Sequence, residues 1–517
     1  MAAPPRRAAA QWEHEVMNDE TILIRGGTAI VFSDGGHRTL TDGEIAVTGD
    51  RITYVGARRA GSTGAIADRV IDATGRIVIP GLISSHAHVG AHEGSRLLID
   101  AGRREFLRSG FLHFLPARRS GAPGFLSPQD ARASLRYGFA TLLRHGVTTV
   151  LAFAPAGRDG GAMMLEVADE FGVRLVWSPI VQGGRYWLND DGTVDHEDDE
   201  AMGLRMLDDA ARFIERHRGA NDGRLSGVIA LDEFYASTPR LRQAAKLAAD
   251  RLGVPFTLHF VEQHREFFET MMKTARTPVQ LLADEGVLDR NTILAHCIYI
   301  AGHSLVGYPL EDDIGRLGKA GASVAHSPVA FSRRGVALES FDRYRKAGVN
   351  VALATDAYPL DLFAEMRMAS IMGKAADRNY EAAPAPAVFD AATLAGAAAL
   401  GRDDIGRLAP GARADLVIVD PRTLTVGPNP DPVRMLVHLA GPDNVALVMV
   451  GGRVLVEDGH LTVADEQQIL AEAAASSDRV WQGYADYHPT GRDVASAFPA
   501  SYRPFGTASG AGSGSQP

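Results

Sequence analysis

One cysteine, Cys297, is all that 517 residues contain. Its solitude excludes an intrachain disulfide and a thiolate-rich zinc site, leaves imidazole and carboxylate as the metal ligands on offer, and suits a reducing cytoplasm. Long apolar runs are also missing. No stretch approaches the roughly 18 uninterrupted apolar residues of a membrane span. Cations are in deficit: a formal charge of -10 and a pI near 5.9 argue against nucleic acid or an anionic membrane surface as the main partner. A small-molecule substrate fits better, and a homo-oligomer is left open. The first residues carry arginine but no continuous apolar segment before acidic residues arrive, so no signal peptide is expected. We expect residues 1–19 to be flexible and the Gly/Ser-rich stretch 506–517 to be a disordered tail.

What the chain does have is order of two kinds. From Thr21 to Val70 short β-branched runs alternate with Gly, Asp and Asn turn signals, and the same style returns from Asp415 to Val456. These segments are predicted to form one small composite β-sandwich from residues 20–79 and 405–462, since neither offers enough strands to bury a face alone. Between them eight short buried strands are predicted: Ile83–His88, Thr148–Phe153, Arg174–Ile180, Val228–Asp232, Phe256–Phe260, Ile293–Cys297, Ser323–Ser327 and Val351–Asp356. Amphipathic helices separate them, among them Asp130–Arg144, Pro239–Leu252 and one long segment, Arg265–Asp284. No Gly-rich dinucleotide fingerprint follows the first strand. The expected fold is therefore α/β, a (β/α)8 TIM barrel over residues 80–404, with a C-terminal helical extension at 463–505.

In such a barrel the chemistry sits at the carboxyl ends of the strands. Strand one ends in His86 and His88, whose i, i+2 spacing on a strand points both imidazoles to one side. Strand five ends at His259, strand six at His296, strand seven at His326 and strand eight at Asp356. A polar residue in an apolar strand is costly to bury unless it is paired or metal-bound. Five such coincidences at one rim are hard to ascribe to satisfied core residues.

This constellation, with Pro80-Gly81 ahead of His-x-His and the flanking sheet, resembles the amidohydrolase superfamily over nearly the whole chain. The resemblance implies that His86, His88, His259 and Asp356 hold a divalent metal and that His296 touches the water, the metal or the substrate. Binuclear members take a carboxylated lysine from strand four, and Val228–Glu233 offers none. One metal ion is expected, zinc or iron(II) by the chemistry of three imidazoles and a carboxylate. His259-Phe260-Val261-Glu262 resembles the His-x-x-Glu of cytosine, guanine and adenosylhomocysteine deaminases and of triazine hydrolases, where the glutamate shuttles a proton. A surface glutamate near a helix start is the plainer alternative. Longer runs, at 92–103, 276–282, 341–361 and 366–374, look like a branch near the phenylurea and molinate hydrolases.

The leading expectation is thus a metal-dependent hydrolase of a non-peptide C–N bond of amide, urea or carbamate type, an activity of the EC 3.5 class. Glu262, His296 and Asp356 are its expected catalytic residues. The runner-up is an aminohydrolase of an aminated nitrogen heterocycle. A non-catalytic barrel is disfavoured because every ligand position is filled. The insertion from His92 to Gln129 is placed to cover the barrel mouth, and His92, Glu93 and Arg96 either reach substrate or hold that loop. His326 is a further candidate contact. Arg333 and Arg334 either meet a substrate carboxylate or form a solvated pair.

Overall fold

The computed structural model of the protein describes residues 20–58, 67–97, 99, 126–157, 159–189, 194–428, 430–487, 491–502 and 505. The expected flexible N-terminus, the Gly/Ser-rich tail and most of the insertion after His92 lie outside them.

The two β-rich segments meet. Ile77–Pro80 pairs with Thr28–Ser33 on one side and antiparallel with Leu416–Val419 on the other, with Pro80 opposite Leu416. The result is a seven-stranded sheet that draws strands from both ends of the chain, facing a four-stranded sheet built from Thr21–Arg25, Gly43–Thr48, Arg51–Ala57 and Arg69–Asp72. Alternate residues of both sheets, Ile22 and Ile24 on one and Leu416 and Ile418 on the other, share a single apolar cluster. Burial of these β-branched faces is what joins sequence segments more than 300 residues apart.

Parallel strands occupy all eight predicted barrel positions: Leu82–Ala87, Val147–Ala152, Arg174–Val176, Ile229–Glu233, Phe256–Phe260, Thr292–His296, Ser323–His326 and Asn350–Leu353. Strand three stops short of its predicted end because Pro179 has no N–H to give to a ladder. A short piece, Leu225–Ser226, pairs with strand three, and the chain then continues into strand four, which pairs with strand five. The strands therefore form a four-stranded and a five-stranded sheet. At the two seams the contacts are single parallel bridges, Ala87 to Asp356 and Val181 to Leu231. Gly81 takes the chain from the flanking sheet into strand one. A Cβ there would lie 2.1 Å from Thr148 Oγ1, so only glycine allows the close approach.

Helices follow the strands with the expected stop and start signals. Ser127 and Thr238 cap Pro128–Arg144 and Pro239–Leu252, each with proline in the first turn. The single helix predicted over Arg265–Asp284 is two, His264–Thr274 and Pro278–Asp284, because Thr277-Pro278 opens a new capping box. The predicted C-terminal extension contains the helix Glu466–Gln482, which packs on Pro128–Arg144 through ion pairs of Arg479 with Asp130 and Arg136 with Glu472. Among the described residues no helix is long and apolar enough to cross a membrane.

Candidate metal centre

The seam between strands one and eight sets the centre. The His88 N–H donates to the Asp356 carbonyl at 3.0 Å and the Asp356 N–H to the His86 carbonyl at 3.1 Å, so the three side chains leave the backbone at one place. Asp356 Oδ1 lies 3.5 Å from His88 Nε2. Strand five brings His259, whose Nε2 is 3.2 Å from His88 Nε2, and His86 Nε2 is 3.3 Å from the same atom. Strand six adds His296, its ring 5.2 Å from that of His86 and 5.5 Å from that of His259. The six-residue set named from the sequence thus contains five groups that converge and Glu262, whose Oε2 stands 3.7 Å from His296 Nε2.

The donor chemistry fits a cation. His88 Nδ1 contacts the Phe153 carbonyl at 3.1 Å and His259 Nδ1 the Asp232 carbonyl at 2.6 Å. A carbonyl only accepts, so each Nδ1 carries the proton and donates it, and each Nε2 is left with a lone pair. Two lone pairs then face each other across 3.2 Å. Nitrogens held about 2.0–2.1 Å from one tetrahedral ion lie roughly 3.3 Å apart, which matches the spacing found. Burial pushes His86 and His296 well below the ordinary histidine range and His259 down to about 3, with the neighbouring imidazoles adding to the effect. Neutral imidazole is the form that binds a metal.

Backbone strain is concentrated here. Val261, His296, Cys297 and Asp356 have φ of 42°, 74°, 49° and 52°, in the left-handed region that non-glycine residues avoid. A bulge in strand four between Leu231 and Glu233 sets Glu233 opposite His259 and leaves the Asp232 carbonyl to orient its ring. Glu233 is the participant the sequence reading missed. Its Oε1 is 3.7 Å from His259 Nδ1, its Oε2 is buried with no hydrogen-bond partner among the described residues, and burial together with Glu262, Asp232 and Glu266 drives its carboxyl well above the usual range. The Asp232-Glu233 pair at a strand end was the available signal. Phe153 forms an aromatic wall, its ring 4.4 Å from that of His259.

Glu262 is no surface residue: only 7% of its side chain is exposed, and burial raises its carboxyl to about 7 against the lowering pull of Arg334. The other candidates lie outside the imidazole cluster, although the charges of Arg334 and His326 act on His296. His326 is buried at the end of strand seven beside Phe341, and burial lowers it to about 3. Both nitrogens of His92 are engaged, Nδ1 with Ser134 Oγ at 2.9 Å and Nε2 with the Ala473 carbonyl at 3.3 Å. Glu93 is wholly buried, accepting from Ser134 and Ser476. Arg333 and Arg334 are exposed. Cys297 is buried.

Comparison with known proteins places this geometry. The amidohydrolase family model matches residues 77–455. The chain is 30% identical over 469 residues to a 5'-deoxyadenosine deaminase of Methanothermobacter thermautotrophicus, covering 89% of this chain and 99% of that protein. It is 27% identical over 476 residues to a 5-methylthioadenosine/S-adenosylhomocysteine deaminase of Symbiobacterium thermophilum, with the same coverage. Among solved structures, a zinc-bound adenosine deaminase from Xanthomonas campestris superposes with a TM-score of 0.72 at 21% identity, covering 89% of this chain and 98% of its own. A zinc complex of atrazine chlorohydrolase from Arthrobacter aurescens gives 0.69 at 24%, covering 88% and 100%. These likenesses show a shared α/β fold of the TIM-barrel type.

Proposed function

The chain belongs to the amidohydrolase family, and we propose that it is a metal-dependent aminohydrolase that releases ammonia from a ring carbon of a nitrogen heterocycle. Hydrolysis of a non-peptide C–N bond in a small molecule is the broader activity of which this is the finer form. One observation carries the reading: a buried carboxylate, Glu262, stands 3.7 Å from His296 at the edge of the imidazole cluster. The relatives named as deaminases support loss of ammonia over the amide, urea or carbamate cleavage that led the expectations from sequence.

His86, His88, His259 and Asp356 are the residues we assign to one divalent ion, zinc in keeping with the zinc-bound structural neighbours. Such an ion, when bound, brings the pKa of water to about 7 and polarises the attacked carbon. Asp356 is placed to accept a proton from attacking water. Glu262, buried 3.7 Å from His296, passes protons to the ring nitrogen and the departing amine. Water adds to the amidine carbon, its protons go to those two nitrogens, and the C–N bond breaks to leave a ring carbonyl and ammonia. His296 is neutral and orients the reacting groups, while His326 and Arg333 are assigned to substrate. His92 is read as a strut of the loop that starts at the end of strand one.

The same reading takes residues 20–79 and 405–462 as one composite β-sandwich and 80–404 as a barrel completed across its two seams, with 463–505 as a helical extension and a cytoplasmic setting for the whole. Its test is ammonia release by metal-replete enzyme from aminated purine nucleosides, pyrimidines, pterins and triazines, run beside amides, ureas and carbamates. We expect ammonia from the heterocycles. Turnover confined to the second group would overturn the reading.

A further inference from the structure

A second buried carboxyl stands behind Glu262. Glu266 is 3% exposed, and both of its oxygens accept from the backbone: the Val261 N–H donates to Oε2 at 3.1 Å and the Gln263 N–H to Oε1 at 3.0 Å. Those two donors flank Glu262 in the chain. Gln263 is the N-cap of the helix His264–Thr274 and Glu266 its third residue, so the bond to Gln263 is the ordinary reach of a capping box. The bond to Val261 is not. Val261 follows strand five, ahead of the cap, and closing the helix does not require its N–H to meet the same carboxyl.

That bond fixes a strained peptide. Val261 has φ of 42°, a conformation that a β-branched residue avoids, and it is held from both sides. Its N–H goes to Glu266, and its carbonyl accepts from the N–H groups of Ile298 at 3.3 Å and Tyr299 at 3.0 Å. Ile298 and Tyr299 follow His296 and Cys297, which are themselves left-handed. The turns that leave strands five and six are thus joined through Val261, and the side chains they present, Glu262 and His296, meet at 3.7 Å. A carboxyl is costly to place here: burial, then the charge of Glu262, push Glu266 well above the usual range against the pull of the N–H groups it accepts from.

We propose that Glu266 is a positioning residue, which anchors the turn 261–263 and so holds Glu262 against His296 in the geometry that proton transfer needs. This deepens the aminohydrolase reading and rests on it for the identity of the reaction, not for the anchor itself. Misplacing a reacting group by about 1 Å can cost roughly 100-fold in rate, so the anchor acts on kcat and not on the binding of substrate or metal.

Glutamine is the informative replacement. It keeps the volume and is itself a capping-box residue, yet its single carbonyl oxygen can serve only one of the two N–H groups while its amide nitrogen faces the other. In the first arm of the test, hydrogen–deuterium exchange of metal-replete wild type and Glu266→Gln is followed by mass spectrometry. We expect faster exchange in the peptides covering 260–266 and 296–300 and no change elsewhere in the barrel. In the second arm, a double-mutant cycle compares wild type, Glu262→Gln, Glu266→Gln and the double variant on a heterocycle that yields ammonia. Glu266→Gln should lower kcat about 10- to 100-fold with KM and metal content near wild type. Once Glu262 is already glutamine, the same change should cost no more than about twofold. A group that merely holds the fold would cost the same factor in both backgrounds. Equal factors, an unchanged kcat or unchanged exchange would overturn the proposal. Glu266→Asp, which draws the carboxylate back by one methylene, carries both arms should the glutamine variant fail to fold. Faster exchange at both turns while no heterocycle yields ammonia would keep the anchor and remove the aminohydrolase reading.

Discussion

At the scale of single residues, Glu262 is the group on which proton transfer depends. Its carboxyl combines depth, a 3.7 Å approach to His296 and a pKa raised to about 7, a set of properties that suits proton transfer and not solubility. Replacing it by glutamine keeps the volume and removes the proton. Since general acid–base help is worth 10²–10⁴-fold, Glu262→Gln should lower kcat by about that factor and leave metal content unchanged. A loss of tenfold or less would take Glu262 out of the proton path and favour urea or carbamate chemistry, in which Asp356 and His296 suffice. His-x-x-Glu spacing was enough to find this residue from sequence. Glu233 was not found, because its place opposite His259 depends on a bulge that no local pattern encodes.

Among the elements, the hairpin of Thr28–Ser33 and Gly36–Thr41 ties the flanking sheet to the barrel through His37, which meets Thr393 Oγ1 at 3.0 Å and the Phe389 ring. Burial lowers His37 to about 4; the Val31 carbonyl and Asp390, 3.8 Å away, favour the charged form, and Arg407 opposes it. The unfolded chain, with an ordinary histidine near 6.5, binds the proton more readily than the fold between pH 6.5 and 4. Stability is therefore complete above about 6.5 and is lost as pH falls toward 4, by up to roughly 3 kcal/mol. Thermal melts at pH 7 and pH 5 should show a larger drop for wild type than for His37→Gln; equal drops would refute the assignment. Most element types and positions were legible because burial and periodicity are local properties of sequence. The exceptions have local causes seen only in context. Pro179 ends strand three early, Ala275 in the left-handed region ends a helix, and the polar hairpin of Gly184–Leu188 with Val194–Asp198 lacks the apolar alternation that would have announced it.

For the molecule as a whole, a helix late in the chain buttresses the segment that follows strand one. The helix Glu466–Gln482 holds Glu93 through Ser476 at 2.6 Å and Trp481 at 2.9 Å, and so fixes the segment that carries Arg96. Strand three is fixed to the flanking sheet by the buried pair of Arg174 with Asp415 at 2.8 Å. The residues we propose as metal ligands were readable from sequence since each stands at or just past the end of a buried strand, whereas the composite scaffold that aligns them depends on contacts hundreds of residues apart. The most direct test of the account is elemental analysis of metal-replete protein after exhaustive desalting, for wild type, Glu262→Gln and His259→Ala. It predicts about one zinc per chain in the first two and none in the third. Two tightly held ions per chain, none in wild type, or zinc retained by His259→Ala would contradict it.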